Sequence, residues 1–319
     1  MRLPFETACR WLCILVLAGF WPLDAITAQV RPPSERSAAV LLTALGEYVA
    51  KFERAFSSAV AEERYVQLIR PVRDTPAWPS DERAIEWHEG PQGHPRTGPI
   101  LDRRQLLSDM LLAHTPEGWV GYRDVAVVDG GAVRQRADRV TALFLSRGSD
   151  RGGQLRRIAE ESARFNIGGF KRTLNIPTLA LSFLHARHHP RFTFTSGGRE
   201  QLDDWSTEVI RYEEQTKPTL IGTQAGEDVS ITGRVWIDTA SSTVVQTEVR
   251  VLTDDRRGTL ITRYRSDPRF EVLVPDYMWE WYDGGRTQYG STFERTVIEC
   301  LARYGNYRAF SVTTNQQIR

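Results

Sequence analysis

The chain has 319 residues, of which 41% are hydrophobic and 25% are charged, and its formal net charge is +1. This length is sufficient for one large domain or two small ones with a core of ordinary size. A charge this close to zero argues against a nucleic-acid-binding protein, because such proteins usually carry a basic excess on one face. The basic residues are nearly all arginine and are scattered through the chain, which is typical of a compositional bias.

The N-terminus has the pattern of an export signal. Arg2 and Arg10 supply positive charge, and residues 11–21 form an uninterrupted apolar run. This run is too short to span a bilayer, so a signal peptide over residues 1–28 is favoured over a membrane anchor. We therefore expect a periplasmic or secreted protein whose residues 29–319 form a single domain, with no transmembrane segment after cleavage.

Signal cleavage would remove Cys9 and Cys13 and leave Cys300 as the single cysteine. One thiol can form neither an internal disulfide nor a cysteine zinc site. Cys13 lies too early in the apolar run to be the lipidated cysteine of a bacterial lipoprotein. Cys300 shares a strand face with Ile298, so we expect it to be a buried structural residue.

The first predicted elements are a helix of about twenty residues, which Ser34 or Ser37 can cap, and a strand over residues 60–69. Residues 71–99 are rich in proline and glycine and predict an irregular surface excursion. The helix is indicated by an apolar stripe with a spacing of three to four residues. It consists of Leu41, Leu45, Tyr48, Phe52 and Phe56.

Two more strands, over residues 106–112 and 119–128, precede a helical insert over residues 138–189. Asp129-Gly130-Gly131 predicts a hairpin turn after the second of these strands. The last helix of the insert, over residues 178–184, is apolar nearly all round. Such a helix must be covered on both sides, either by protein or by an apolar ligand.

The C-terminal part has the period-two alternation of an antiparallel sheet, with polar breaks between short strands. The alternation does not show which face of the sheet is concave. Val245, Thr247 and Val249 share one predicted face, and Met278, Glu280 and Tyr282 share one face opposite to Tyr277, Trp279 and Trp281. The predicted strands cover residues 191–195, 206–214, 233–238, 244–252, 259–264, 270–282, 292–303 and 308–313.

Motifs for nucleophilic, phosphate or zinc-protease chemistry are absent from the sequence. His185, His188 and His189 have ligand spacing on a helix, but no carboxylate or further histidine lies near them in sequence. Adjacent acids such as Glu62 and Glu63 point to opposite faces of a strand and cannot act together. We therefore predict no catalytic residue, metal or other cofactor.

The order of elements resembles the periplasmic lipoprotein-carrier superfamily, which includes the outer-membrane lipoprotein carrier, its receptor and an anti-sigma-factor regulator. Gly233-x-x-Trp236-Ile237-Asp238, with the following strand from Val244, is similar to the central hairpin of that family. The resemblance implies an α+β fold in which a strongly curved antiparallel sheet forms a half-open barrel. An N-terminal helix and the mid-chain helical insert would cover one face. Three shorter segments, over residues 161–168, 172–178 and 274–280, resemble uncharacterised secreted bacterial proteins.

The leading functional interpretation is a non-catalytic envelope protein that binds an apolar or lipid-like ligand in the half-barrel. An enzyme acting on envelope or extracellular polysaccharide and a sensor domain that binds a protein partner are the alternatives. If the helix over residues 178–184 is a lid, it lines the ligand site. If the helix predicted over residues 155–165 covers it instead, it is core. The predicted ligand-lining residues are Leu179, Leu181, Phe183, Leu184, Trp236 and Met278.

Overall fold

The computed structural model describes ten stretches of the chain. The predicted signal peptide, nearly all of the proline-rich excursion and the first part of the helical insert lie outside the described residues. The described residues are 37–56, 58–71, 99–115, 118–133, 163–169, 172, 175–223, 226–253, 256–289 and 292–309.

The N-terminal helix, α1 (Ala38–Ala55), confirms the predicted amphipathic helix. Ser37 caps it, because the Ser37 side chain accepts a hydrogen bond from the backbone N–H of Val40. The whole predicted apolar stripe is buried, and Leu41 and Phe52 are fully inaccessible to solvent. The helix ends at Phe56, whose N–H donates to the carbonyl of Phe52 at 2.8 Å.

Within the described residues, eleven strands form one antiparallel sheet in the order β4-β3-β2-β1-β11-β10-β9-β8-β7-β6-β5. The first and last strands of the chain pair at the middle of this sheet, and β4 and β5 are its edges. The strands are β1 (Ser58–Pro71), β2 (Asp102–Thr115), β3 (Gly118–Val128), β4 (Gly131–Ala132), β5 (Phe192–Leu202), β6 (Trp205–Glu214), β7 (Ser230–Asp238), β8 (Val244–Leu252), β9 (Arg257–Arg265), β10 (Val274–Tyr289) and β11 (Thr292–Ala309).

Several predicted strand limits are wrong, and bulges explain most of the differences. The strand predicted over residues 270–282 begins later, at Val274, and β10 continues beyond the predicted end through the glycine pair after Asp283, with a register shift between Asp283 and Gly285. The strand predicted over residues 292–303 continues without a break to Ala309 as β11, and so includes the start of the strand predicted over residues 308–313. Residues 310–313 lie outside the described residues. Pairing with neighbouring strands holds these segments extended and overrides local turn propensity. A bulge opposite Trp236 also places Val245 on the other face from Val249.

Contacts of α1 show that the sheet curves strongly. The ring of Phe52 lies 5.4 Å from that of Trp119 on β3 and 6.3 Å from that of Tyr264 on β9. These strands are five strand spacings apart, which is about 24 Å in a flat sheet. One side chain can touch both only if the sheet bends around α1. The predicted curved sheet is confirmed, and its concave face is the one that carries Met278 and Tyr282.

The second helix, α2 (Leu179–Leu184), is shorter than a typical helix and is almost wholly buried. It contacts α1, β3 and β8, and the Ser182 hydroxyl accepts a hydrogen bond from the N–H of Trp119 at 3.2 Å. Within the described residues, α1 covers the side of α2 that the sheet leaves open. The helix predicted over residues 155–165 lies mostly outside the described residues. A 3-10 helix (Ala186–Arg191) then leads into β5.

Candidate functional site

The inner face of the sheet, which faces α1, carries a group of buried polar side chains within a largely apolar surface. They come from four strands and from the segment that precedes α2, and each is at most 8% exposed. We call this group the inner polar cluster. It consists of Glu63, Tyr65, Gln67, Arg123, Arg172, Asn175, Glu280, Tyr282 and Cys300.

The cluster forms because three adjacent strands align their polar residues in one row. Gln67 on β1 is directly opposite Cys300 on β11, and Cys300 is directly opposite Glu280 on β10. The inner residues of β11 at this point, Cys300 and Ala302, are small. The Tyr65 side chain can therefore extend across β11, and its hydroxyl donates a hydrogen bond to Glu280 Oε2 at 3.2 Å.

Glu280 is wholly buried, and its two carboxyl oxygens have different surroundings. Oε2 accepts hydrogen bonds from the hydroxyls of Tyr282 at 2.7 Å and Tyr65 at 3.2 Å. Oε1 is also buried and has no hydrogen-bond partner among the described residues. Burial raises the pKa of Glu280 above its ordinary value of 4.5, although the positive charge of Arg172 opposes the shift. Glu280 thus presents an unsatisfied carboxyl oxygen to the interior.

A buried ion pair lies beside this carboxyl group. Arg123 on β3 binds Glu63 on β1 through two hydrogen bonds, with Nη2 2.7 Å from Oε1. The guanidinium also lies 4.4 Å above the ring of Tyr65. Burial by itself would lower the pKa of Arg123, but the Glu63 carboxylate raises it well above its ordinary value. Arg123 therefore remains charged, and the two side chains satisfy each other through paired hydrogen bonds.

Gln67 and Arg172 fasten the segment before α2 onto the sheet. The Gln67 side chain donates to the carbonyl of Phe165 at 3.0 Å and accepts from the N–H of Ile167 at 3.1 Å. Arg172 donates to the carbonyl of Ile167 at 2.8 Å and to Gln67 Oε1. The Asn175 amide lies 3.2 Å from the Tyr65 hydroxyl. The polar groups of the sheet thereby anchor the chain that covers them.

Close packing also holds this segment in place at Gly121 on β3. A Cβ atom at Gly121 would lie 2.1 Å from Cγ2 of Ile176 and 2.7 Å from Cε of Met110. Only a glycine leaves room for Ile176 to pack directly on the strand. The chain before α2 therefore closes over the inner face without a gap at this point.

The thiol and the two phenol groups of the cluster are held in their protonated forms. Burial raises the pKa of the Cys300 thiol to about 12, so this sulfur is not a thiolate near neutral pH. Burial also raises the pKa values of Tyr65 and Tyr282 well above their ordinary values, so both hydroxyls remain hydrogen-bond donors. The predicted burial of Cys300 is confirmed.

The predicted ligand-lining residues fall into two groups. Five of them lie in the apolar core that surrounds the inner polar cluster: Leu179, Leu181, Phe183, Leu184 and Met278. Trp236 lies on the outer face of the sheet, where it packs with Val209 and Val245 and donates to Glu200 Oε2 at 2.6 Å. The structure therefore brings the first five together and places Trp236 apart from them.

The three histidines with ligand spacing in the sequence lie at the start of, or within, the 3-10 helix that follows α2. His185 Nε2 lies 3.4 Å from Glu53 Oε2 on α1, a carboxylate that is remote in sequence. The ring of His189 is 2.9 Å from the carbonyl of Leu184, and His188 accepts a hydrogen bond from Arg187 at 3.0 Å. Burial and the nearby Arg187 lower the pKa values of His185 and His188. Three or more metal-ligating side chains are not found together among the described residues.

The inner polar cluster was not predicted, although the sequence carries a partial signal for it. Glu63 shares a face of β1 with Ala61, Tyr65 and Ile69, and Glu280 shares a face of β10 with Met278 and Tyr282. A charged residue at a core-facing position indicates a buried partner or a site. The partners themselves, Arg123 and Arg172, come from distant segments. As expected, Glu62 points away from Glu63, to the outer face, where it pairs with Arg64.

Comparison with known proteins gives matches only among solved structures. No protein-family model matches the chain, and no curated protein matches it. Within the described residues, no helix is long and apolar enough to cross a membrane.

Three solved structures are similar to this chain over most of their length. The first is an outer membrane lipoprotein-sorting protein domain from Vibrio parahaemolyticus, with 9% identity, a TM-score of 0.39, and coverage of 88% of this chain and 96% of that one. A DUF1329 family protein from Desulfovibrio piger has 11% identity, a TM-score of 0.33, and coverage of 85% and 94%. A LolA superfamily protein from Nitrosomonas europaea has 9% identity, a TM-score of 0.30, and coverage of 87% and 96%. The resemblance to the lipoprotein-carrier superfamily, which the order of elements indicated, is confirmed as a resemblance.

Proposed function

We propose that this protein is an exported, non-catalytic envelope protein that binds an amphipathic, lipid-like ligand inside its curved sheet. The apolar part of the ligand would lie among the core residues of α2 and β10, near Leu181 and Met278. Its polar end would reach the inner polar cluster. Trp236, on the outer face, would contribute nothing to this site.

Glu280 Oε1 carries this proposal. A buried polar atom that forms no hydrogen bond costs about 1–3 kcal/mol, so its retention in an interior needs an explanation. Ligand sites are typically apolar concavities with a few convergent polar groups. The inner face has this composition, because the apolar core surrounds a carboxyl oxygen without a partner among the described residues.

Export is proposed from the sequence alone. The charged residues Arg2 and Arg10 and the apolar run over residues 11–21 are typical of a signal peptide. N-terminal sequencing of the protein recovered from the periplasm or medium should give a free start at or near Gln29. Recovery of an intact Met1, or of an acylated Cys13, would contradict this part of the proposal.

The ligand can be sought directly and then probed with variants. Native mass spectrometry of the protein purified from its own periplasm should show an added mass that organic solvent removes. In a fluorescence titration, the protein should bind an NBD-labelled monoacylglycerol, an uncharged amphiphile that does not titrate. Glu280→Leu should weaken this binding about fivefold or more, because a hydrogen bond to the head group is lost.

Two matched variants sharpen this titration. Glu280→Gln should retain binding, because its amide keeps a hydrogen-bonding group at the same place. Trp236→Phe should bind the probe as the parent does, because Trp236 lies on the outer face. If the parent protein binds no probe, or if Glu280→Leu binds it as tightly as the parent, the proposed site is wrong.

A further inference from the structure

A second concavity lies outside the inner polar cluster, beside α1. It is a cleft with a volume of about 350 Å³, which is at the lower end of the range for small-molecule sites. Its three walls are α1, the turn between β7 and β8, and the connection between β9 and β10. The cleft is independent of Glu280, and nothing in the function proposed above uses it.

The wall formed by α1 contains an unsatisfied hydroxyl group. Glu47, Tyr48 and Lys51 line the cleft, and Lys51 follows Tyr48 by three residues and Glu47 by four, so its side chain lies beside both on the helix. Tyr48 is 8% exposed, and its hydroxyl is buried with no hydrogen-bond partner among the described residues. The ring packs against Phe52, 6.3 Å away, so the side chain is held in place. A ligand in the cleft could supply the missing hydrogen bond.

The wall formed by the β7–β8 turn is held rigid by Asp238. The Asp238 carboxylate accepts hydrogen bonds from the N–H of Ser241 at 2.8 Å and from its hydroxyl at 2.6 Å. The hydroxyl of Thr243 lies 2.8 Å from that of Ser241. Several hydroxyl groups are therefore fixed at the edge of the cleft.

The third wall, from the β9–β10 connection, is equally well fixed. Arg269 binds Asp267 through two nitrogens, and the N–H of Phe270 donates to the carbonyl of Asp267 at 3.0 Å. The ring of Phe270 packs on those of Phe56 and Tyr307, with centroids 5.0 and 5.8 Å away. A cleft whose walls are all fixed is pre-organised, so a ligand would not have to order them.

The groups around the cleft match the chemistry of a sugar. Thr243 and Ser266 line the cleft with hydroxyl groups that can bond a ligand, and Phe270 adds an apolar surface. The Ser241 hydroxyl already donates to Asp238, so it holds the turn rather than a ligand. Three charged side chains of both signs, Glu47, Lys51 and Glu271, line the cleft, and all three are exposed. This mixture disfavours a strongly charged ligand. We propose that the cleft binds a neutral saccharide of about one or two sugar rings.

Saturation-transfer NMR with four uncharged disaccharides, maltose, cellobiose, lactose and N,N′-diacetylchitobiose, tests this proposal. At least one should bind saturably to the parent protein. Tyr48→Phe should weaken that binding about three- to tenfold, because a single neutral hydrogen bond is lost while the ring and its packing are kept.

Tyr304→Phe is the matched control, because it also removes a buried hydroxyl without a partner among the described residues but does not line the cleft. It should bind the disaccharide as the parent does, and both variants should keep the parent's melting temperature to within a few degrees. If none of the four sugars binds at millimolar concentration, or if Tyr48→Phe binds as tightly as Tyr304→Phe, the saccharide site is wrong. Monoacylglycerol binding should be the same in Tyr48→Phe and the parent, which separates this result from the site at Glu280.

Discussion

Two wholly buried glutamates on opposite faces of the sheet have very different partners. On the outer face, Glu248 is bound by Arg234, with Nη2 2.7 Å from Oε2, and its other oxygen contacts Arg250. On the inner face, Glu280 receives hydrogen bonds from the hydroxyls of Tyr65 and Tyr282. One carboxyl group is compensated by two positive charges in direct contact, and the other has an oxygen without a hydrogen-bond partner among the described residues.

This difference separates carboxylates that arginines hold in place from the carboxyl group to which we assign ligand binding as a proposal. Removing one partner of a buried ion pair is strongly destabilising, because it leaves the other charge uncompensated. The Glu63–Arg123 pair of the inner face belongs to the same class as Glu248, because an arginine is in direct contact with each carboxylate. Glu280 differs from both because its surroundings raise its pKa and leave one oxygen without a partner among the described residues.

The largest effect is expected from breaking the pair that is buried most deeply. Arg123→Met would leave the Glu63 carboxylate uncompensated inside the core, which should reduce the free energy of unfolding by about 3–5 kcal/mol. Chemical denaturation of the parent and the variant measures this loss. In the double variant with Glu63→Leu, much of the loss should be recovered. A loss below about 1 kcal/mol in the single variant would show that Glu63 finds another partner.

A smaller loss is expected on the outer face. Glu248→Gln keeps the shape of the side chain but removes the charge that Arg234 and Arg250 contact. Because hydrogen bonds to charged groups contribute about 1.5–3 kcal/mol, the free energy of unfolding should fall by about that amount. The loss should shrink at high salt, because both arginines are partly exposed. If the variant is as stable as the parent, the arginine contacts of Glu248 do not stabilise the fold, and the contrast with Glu280 is wrong.

The difference in stability between the parent and Glu280→Gln should change with pH in the opposite direction from that expected for a carboxylate paired with arginine. The folded-state pKa of Glu280 is raised, so its contribution to stability is fully present below about 4.5 and is lost as pH rises through the folded-state value. The parent should therefore lose stability relative to Glu280→Gln as pH rises above 4.5, by about 1.4 kcal/mol for each unit of upward shift. Urea denaturation of both proteins at several pH values measures this difference. Equal pH profiles would contradict a raised pKa.

The smallest effect is expected at Cys300, which lies beside Glu280 in the same row. Cys300→Ala removes one buried sulfur and should lower the free energy of unfolding by about 1 kcal/mol through lost packing. Because burial raises the thiol pKa to about 12, a thiol reagent should label the native protein slowly at neutral pH and quickly after unfolding. Rapid labelling of the native protein would show that the row is open to solvent.

The sequence by itself determined the elements whose signals are local. The apolar stripe from Leu41 to Phe56 predicts α1, and the turn at Asp129 predicts the β3–β4 hairpin, because both depend only on spacing along the chain. The two faces of β10 follow from alternation in the same way, so the placement of Met278, Glu280 and Tyr282 on one face was predictable. The local turn signal of the glycine pair after Asp283 predicted the wrong strand end, because pairing with β11 overrides it.

Only the tertiary structure decided what surrounds Glu280. Its neighbours Tyr65, Arg123 and Arg172 lie on separate segments, and the first and last strands of the chain must pair before Tyr65 can reach across β11. Which face is concave also depends on where α1 packs, and α1 is remote from β10 in sequence. Strand order, register and the packing of helices over the sheet are set by long-range contacts. Periodicity in a sequence records only which residues share a face.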